Sequence, residues 1–248
     1  MTQTMIVYSL IKKSNPEEPH TVTVQEFPSP KVPKKWPKNP KKTQRPKKPI
    51  PGKPVSTLSL QTPFFNSLPE TPQSLIIALD LEWFEQTHGE HVQEIGLAIE
   101  PRGYPSCTLH LHYIIQEHYK YTNRRCPTSK LGFIFGESLQ GTIPEITSHL
   151  QFWLSGAGHD CPVELVVHNG DGDARALGLL GIDIVALTSH IHDTGKLARK
   201  PKEPRISLIN LCLELEIQHD PKAFHNAGND AAYTLLAFRS LGRGENKL

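Results

Sequence analysis

Cysteine is scarce and scattered in this chain. The four cysteines among 248 residues, Cys107, Cys126, Cys161 and Cys212, form no CxxC pair. That argues against a zinc site or a disulfide framework and for a reducing, intracellular compartment, nuclear and/or cytoplasmic. Long apolar runs are absent too. With no stretch of about 18 apolar residues, no membrane span is expected, and the early patch MIVYSL is too short for a signal peptide. Acid is missing from one long segment: Lys31–Pro54 holds ten Lys/Arg and no Asp or Glu, and nine prolines fall between Pro28 and Pro54. Such a composition cannot bury enough apolar surface to offset the entropy of ordering. Residues 1–73 are therefore expected to be a disordered, basic, Pro-rich tail and linker, and residues 74–248 the folded domain. The tail suits a linker, a nuclear import signal or a nonspecific nucleic-acid arm. From 75 to 248 the balance reverses, with 15 basic against 21 acidic residues.

What is present centres on Leu75–Trp83, LIIALDLEW. A short Ile/Leu-rich run after Pro69 and Pro72 reads as a strand buried on both faces. Residues two apart in a strand point to the same side, about 7 Å apart. Asp80 and Glu82 thus present two carboxylates on one face. Two anions buried together are costly unless cations neutralise them, and hard divalent cations prefer oxygen ligands. Taken alone, the pair also fits a strand simply running out to a solvated edge.

The rest of the body alternates. His91–Glu100 and Cys107–Gln116 read as further strands in an antiparallel meander. Residues 117–142 form a longer excursion, in which Tyr119, Tyr121, Phe133 and Phe135 lie among Lys120, Arg124, Arg125 and Lys130. That excursion fits either a base-stacking, phosphate-contacting surface or an edge hairpin. Ile143–Leu154 has helical spacing with Pro144 in its first turn. Val163–Val167 is a buried strand, Asp173–Leu180 a helix, and His190–Asp193 a short strand capped into a helical turn. Ser207–Ile217 and Asn229–Leu241 are the remaining helices. Together these predict an α/β fold with a mixed five-stranded sheet and flanking helices. His110 and His112 share a strand face and read as structural.

Two more acids fall where a site is expected. Asp173 opens a helix just after the strand VELVV, at the carboxyl end of the sheet. In FHNAGND, His225 precedes Asp230 by five residues, with the small Ala227 and Gly228 between them. Asp80, Glu82, Asp173 and Asp230 with His225 form a set suited to two-metal phosphodiester hydrolysis.

These segments resemble the DEDDh 3′–5′ exonucleases of the ribonuclease H-like superfamily, from about Leu75 to Leu241. The likeness rests on DLE, QEIGLAI, His168-Asn169 with Asp173 and Leu177, HDTGKLAR, SLINLCLELEI and HNAGND in that order. The excursion ending FIFGES looks like a fungal branch linked to mRNA export and small-RNA pathways. The resemblance implies Asp80, Glu82, Asp173 and Asp230 as ligands for two Mg²⁺ or Mn²⁺, and His225 as general base. It implies substrate contacts at Leu81, Trp83, His168, Asn169 and Asn226, although His168 and Asn169 also suit orienting the turn before Asp173. The expected substrate is the 3′ end of single-stranded RNA or DNA, with ribonucleoprotein partners. A non-catalytic adaptor with an exonuclease fold is the alternative. Trp83 and Phe84 stand where the family usually has a Thr, and Gly172 where it often has an aromatic residue.

Overall fold

The structure is a computed structural model that describes residues 72–84, 86, 90–123, 130–157, 161–199 and 204–244. Apart from its last two residues, the tail expected over 1–73 lies outside the described residues, as do Arg124 and Arg125.

Six strands make one mixed sheet: β1 (Leu75–Trp83), β2 (Val92–Pro101), β3 (Leu109–Ile115), β4 (Ser138–Gly141), β5 (Val163–Val167) and β6 (His190–Asp193), in the order β4-β3-β2-β1-β5-β6. β1 pairs antiparallel with β2 and parallel with β5, and β2 pairs antiparallel with β3. This is the expected α/β arrangement, a mixed sheet with flanking helices. The sequence reading expected five strands, and β4 is the one it missed. Its four residues, SLQG, have no β-branched or alternating apolar signal and join the sheet by parallel pairing to β3.

The helices are α1 (Ile143–Leu154), α2 (Asp171–Leu179), α3 (Ile184–Leu187), α4 (Thr194–Leu197), α5 (Leu208–Glu214) and α6 (Ala227–Gly244). At the start of α1, Glu145 reaches back to accept from the Thr142 backbone N–H at 2.8 Å, which fixes that helix start. Among the excursion's described aromatic residues Tyr119 is exposed, whereas Phe133 and Phe135 form no open surface. Phe133 and Phe135 are buried with Leu208, Cys212, Phe224 and Tyr233, beneath α5 and α6.

Period-two alternation gives the sheet two unlike faces. Leu75, Ile77, Leu79 and Leu81 of β1 join Ile95, Leu97 and Ile99 of β2 in the large core under α1 and α2. The opposite face carries Ile76, Ala78, Ala98 and Val166, packed on Ala231 and Leu235 of α6. Asp80 and Glu82 continue this second face, and their β2 partners in register are Gly96 and Glu94. Small residues here let α6 lie close to the strands. A Cβ on Gly96 would stand 1.9 Å from the Ala227 carbonyl oxygen, and one on Gly228 would stand 2.7 Å from the His112 Cβ. That approach carries the first turn of α6, with Asp230, down to the end of β1.

Gly96→Ala is therefore expected to push α6 off the sheet, at a cost of about 1–3 kcal/mol or more in denaturant unfolding. Gly178→Ala, where a Cβ meets nothing within 4 Å on a helix, is expected to be neutral or stabilising by up to about 1 kcal/mol. Equal effects would show that Gly96 does not set the spacing.

Candidate active site

The acids are delivered by three elements. Asp80 and Glu82 come from the end of β1, Asp173 from the first turn of α2, and Asp230 from the first turn of α6. Asp173 and Asp230 are buried, at 6% and 7% exposure. Each carboxylate accepts one backbone N–H: Leu81 donates to Asp173, and His225 donates to Asp230 at 2.9 Å. His225 itself has φ +63°, a left-handed conformation rare for a side-chain-bearing residue. Its ring stands 59% exposed, with Nδ1 3.8 Å from the Glu82 carboxylate. Among the described residues, Glu82, His225 and Asp230 bring ligand atoms within 4.8 Å of one another.

This crowding is electrostatically unfavourable without a cation. Desolvation raises the Asp80 carboxyl well above the ordinary carboxylate range, and the charges of Asp230, Asp173, Glu82 and Glu94 raise it further. Burial pushes Asp173 up to about 7, opposed by the Leu81 N–H and reinforced by Asp193. Burial likewise pushes Asp230 up to about 7, opposed by the His225 N–H and reinforced by Glu94. Oδ1 of Asp230 is buried with no hydrogen-bond partner. Oxygen donors crowded together, one of them orphaned, fit hard divalent cations.

The residues proposed from sequence as substrate contacts divide. Trp83 is half-buried and packs over α2, and a Cβ at Gly172 would lie 2.7 Å from its ring edge. The ring of Trp83 thus takes up the space that a side chain at 172 would need. The Leu81 side chain is in the core, so only its backbone faces the site. Asn226 is fully buried and caps α6, its Oδ1 accepting from Asn229 N at 3.1 Å. His168 bonds Thr194 Oγ1 at 2.9 Å and the Ile206 carbonyl at 3.0 Å. Asn169 donates its side-chain amide to the same carbonyl and its N–H to Asp193. The side chains of Leu81 and Asn226 are thus occupied in the core and in the helix cap. His168 and Asn169 tie the turn before Asp173 to its neighbours. Asp193 accepts from Gly195 and Lys196 as the cap of α4. Asp171 turns outward to Arg205 at 2.8 Å and Lys196 at 3.3 Å.

One acid was overlooked. Glu94 is fully buried, faces Glu82 in register, and has Oε1 without a hydrogen-bond partner. A carboxylate leading directly into the apolar run IGLAI was the available signal.

The mixed sheet thus brings four acids and a histidine together at the end of its central strand, β1. Residues 75–241 match the DEDDh_C family, described as DNA polymerase III subunit epsilon-like, C-terminal domain. The chain belongs to that family. Among solved structures it is similar to the Neurospora crassa Pan2 catalytic unit (protease and nuclease domain), with 16% identity and TM-score 0.47. It is also similar to product-bound exonuclease I, with 12% identity and TM-score 0.48. The likenesses cover 73% and 68% of this chain, which spans only 29% and 43% of those chains. No curated protein sequence matches it.

The raised acids make metal binding and pH interdependent. Asp173 and Asp230 bind protons more tightly when folded, so the stability linked to them is full below about pH 4 and is lost as pH rises through about 7. His110, pushed down to about 4 by burial, acts in the opposite sense. A difference measurement cancels that background. The rise in Tm caused by millimolar Mg²⁺ or Mn²⁺ is expected to be larger at about pH 8 than at about pH 5, and to shrink sharply in Asp230→Asn. An equal rise at both pH values, in wild type and variant alike, would remove these carboxylates from the ligand set.

Proposed function

We propose that this chain is a metal-dependent 3′–5′ exonuclease that removes nucleotides from the 3′ end of single-stranded RNA or DNA. The observation carrying this reading is the convergence of Asp80, Glu82, Asp173 and Asp230 beneath an exposed His225 at the end of β1. The four carboxylates are the residues to hold two Mg²⁺ or Mn²⁺. Bound there, the cations would neutralise the acids, polarise the phosphate and favour ionisation of a water. His225 stands at the rim, where its ring can take that water's proton, and a ring that becomes charged faces Glu82. Its left-handed backbone and the N–H bond to Asp230 fix the ring's origin, so the base is aimed without needing side-chain packing. Trp83, beside Asp173, provides an apolar wall at the mouth suited to a terminal base or sugar.

The test uses 3′- and 5′-labelled oligonucleotides with each metal. His225→Ala is expected to lose about 10² to 10⁴ in rate while keeping oligonucleotide affinity within a few-fold. Asp173→Asn should abolish metal-dependent cleavage, whereas Asp171→Asn, which alters only the exposed pairing with Arg205 and Lys196, should retain most of it. A wild-type chain that binds oligonucleotides as tightly as His225→Ala and cleaves none with either metal would be an adaptor instead.

A further inference from the structure

His225 occupies an unfavourable backbone conformation with an exposed ring, so something other than its own packing must hold it. On one side Phe224 is anchored in the cluster with Tyr233 and Ala223. On the other side stands Asn226, whose two ends do different work. Its Oδ1 caps α6 through Asn229 N. Its Nδ2 donates to Glu94 Oε2 at 3.4 Å. That oxygen lies 3.0 Å from His112 Nε2, and His112 Nδ1 lies 2.8 Å from Ser138 Oγ. The two ring nitrogens of His112 thus join Glu94 to Ser138. Glu94, His112 and Asn226 are each fully buried.

The line therefore runs from the β4 edge through β3 and β2 to the residue next to His225. No direct contact between Glu94 and the His225 ring is needed. A buried carboxylate held by a buried imidazole is expensive to place in a core, and here it sits directly under the turn that carries the base.

We propose that Glu94 is a positioning residue for His225: braced by His112 and Ser138, its carboxylate tethers Asn226 and so fixes the turn that holds the imidazole over the acids. This rests on the exonuclease reading above. The tether and the cap are separable, because Asn229 N needs only an oxygen at 226, whereas Glu94 needs the amide donor.

Three variants isolate it. Glu94→Ala removes the anchor, Glu94→Gln keeps an oxygen that can accept from Asn226, and Asn226→Ser keeps a capping oxygen but removes the donor. Glu94→Ala and Asn226→Ser are each expected to lower kcat by about 10- to 100-fold, with KM and the Mg²⁺ half-saturation within a few-fold. Glu94→Gln should recover to within about threefold of wild type. In a His225→Ala background, Glu94→Ala should cost almost nothing further, because the two act as one unit. Multiplying losses would overturn the proposal. So would a raised Mg²⁺ requirement that Gln fails to restore, which would make Glu94 a carboxylate acting on the cations. Backbone hydrogen exchange in the metal-free protein supplies the reading independent of turnover. Amides of His225 to Asn229 should exchange faster in Glu94→Ala and Asn226→Ser than in Glu94→Gln, with β1 and β2 still protected. Unchanged exchange there in Asn226→Ser, which preserves the helix cap, would overturn the proposal even if Glu94→Ala did not fold. If wild type cleaves nothing, the exonuclease reading falls, and the exchange comparison still decides the tether.

Discussion

Mutual repulsion among buried carboxylates is the constraint to which the rest of this structure answers. Asp80 feels the charges of Asp230, Asp173, Glu82 and Glu94, in surroundings where like charges repel far more strongly than in water. The fold tolerates this because each buried acid arrives on an element secured elsewhere. β1 is paired on both sides. The turn before α2 is bound to Asp193, Thr194 and Ile206. The α6 turn is capped by Asn226. The backbone amides of Leu81 and His225 reach Asp173 and Asp230 directly and partly offset the repulsion. The remaining imbalance is what makes the site attractive to cations.

Packing and chemistry share one device here. The face of the sheet that carries Asp80 and Glu82 is lined upstream by Ala78, Ala98 and Gly96, and α6 fits against that low surface. The same helix that covers the second core supplies Asp230, and the residues just before it supply His225. A stability requirement, close helix–sheet contact, thus becomes a positional requirement for the site. The larger core on the opposite face, with Leu79, Leu97, Leu150 and Trp153, contributes bulk burial and leaves the acidic face free for function.

Some features were readable in the chain as a string because they depend on local period. LIIALDLEW declares a strand with two acids on one side, and Ile143–Leu154 declares its helix through spacing and Pro144. The excursion after Gln116 was not readable. Phe133 and Phe135 look the same in sequence whether they stack on a base or fill a core, and only α5 and α6 lying over them decides for the core. The short strand β4 is likewise made by its neighbour, since SLQG has no strand preference without β3 beside it.

Which residues carry acid, which segments alternate, and the order in which the motifs occur are legible in the chain alone, because those properties need only near neighbours along it. Tertiary structure alone decided which groups meet. Trp83 and Gly172 are 89 positions apart, yet the bulk of one fills the space left by the other. Glu94 and Asn226, 132 positions apart, share a hydrogen bond under the turn that bears His225. The burial of Leu81 and Asn226 is a property of how the strands and α6 stack and not of either residue. Long-range pairs of this kind leave no period in the chain, because what joins them is the closure of helix on sheet.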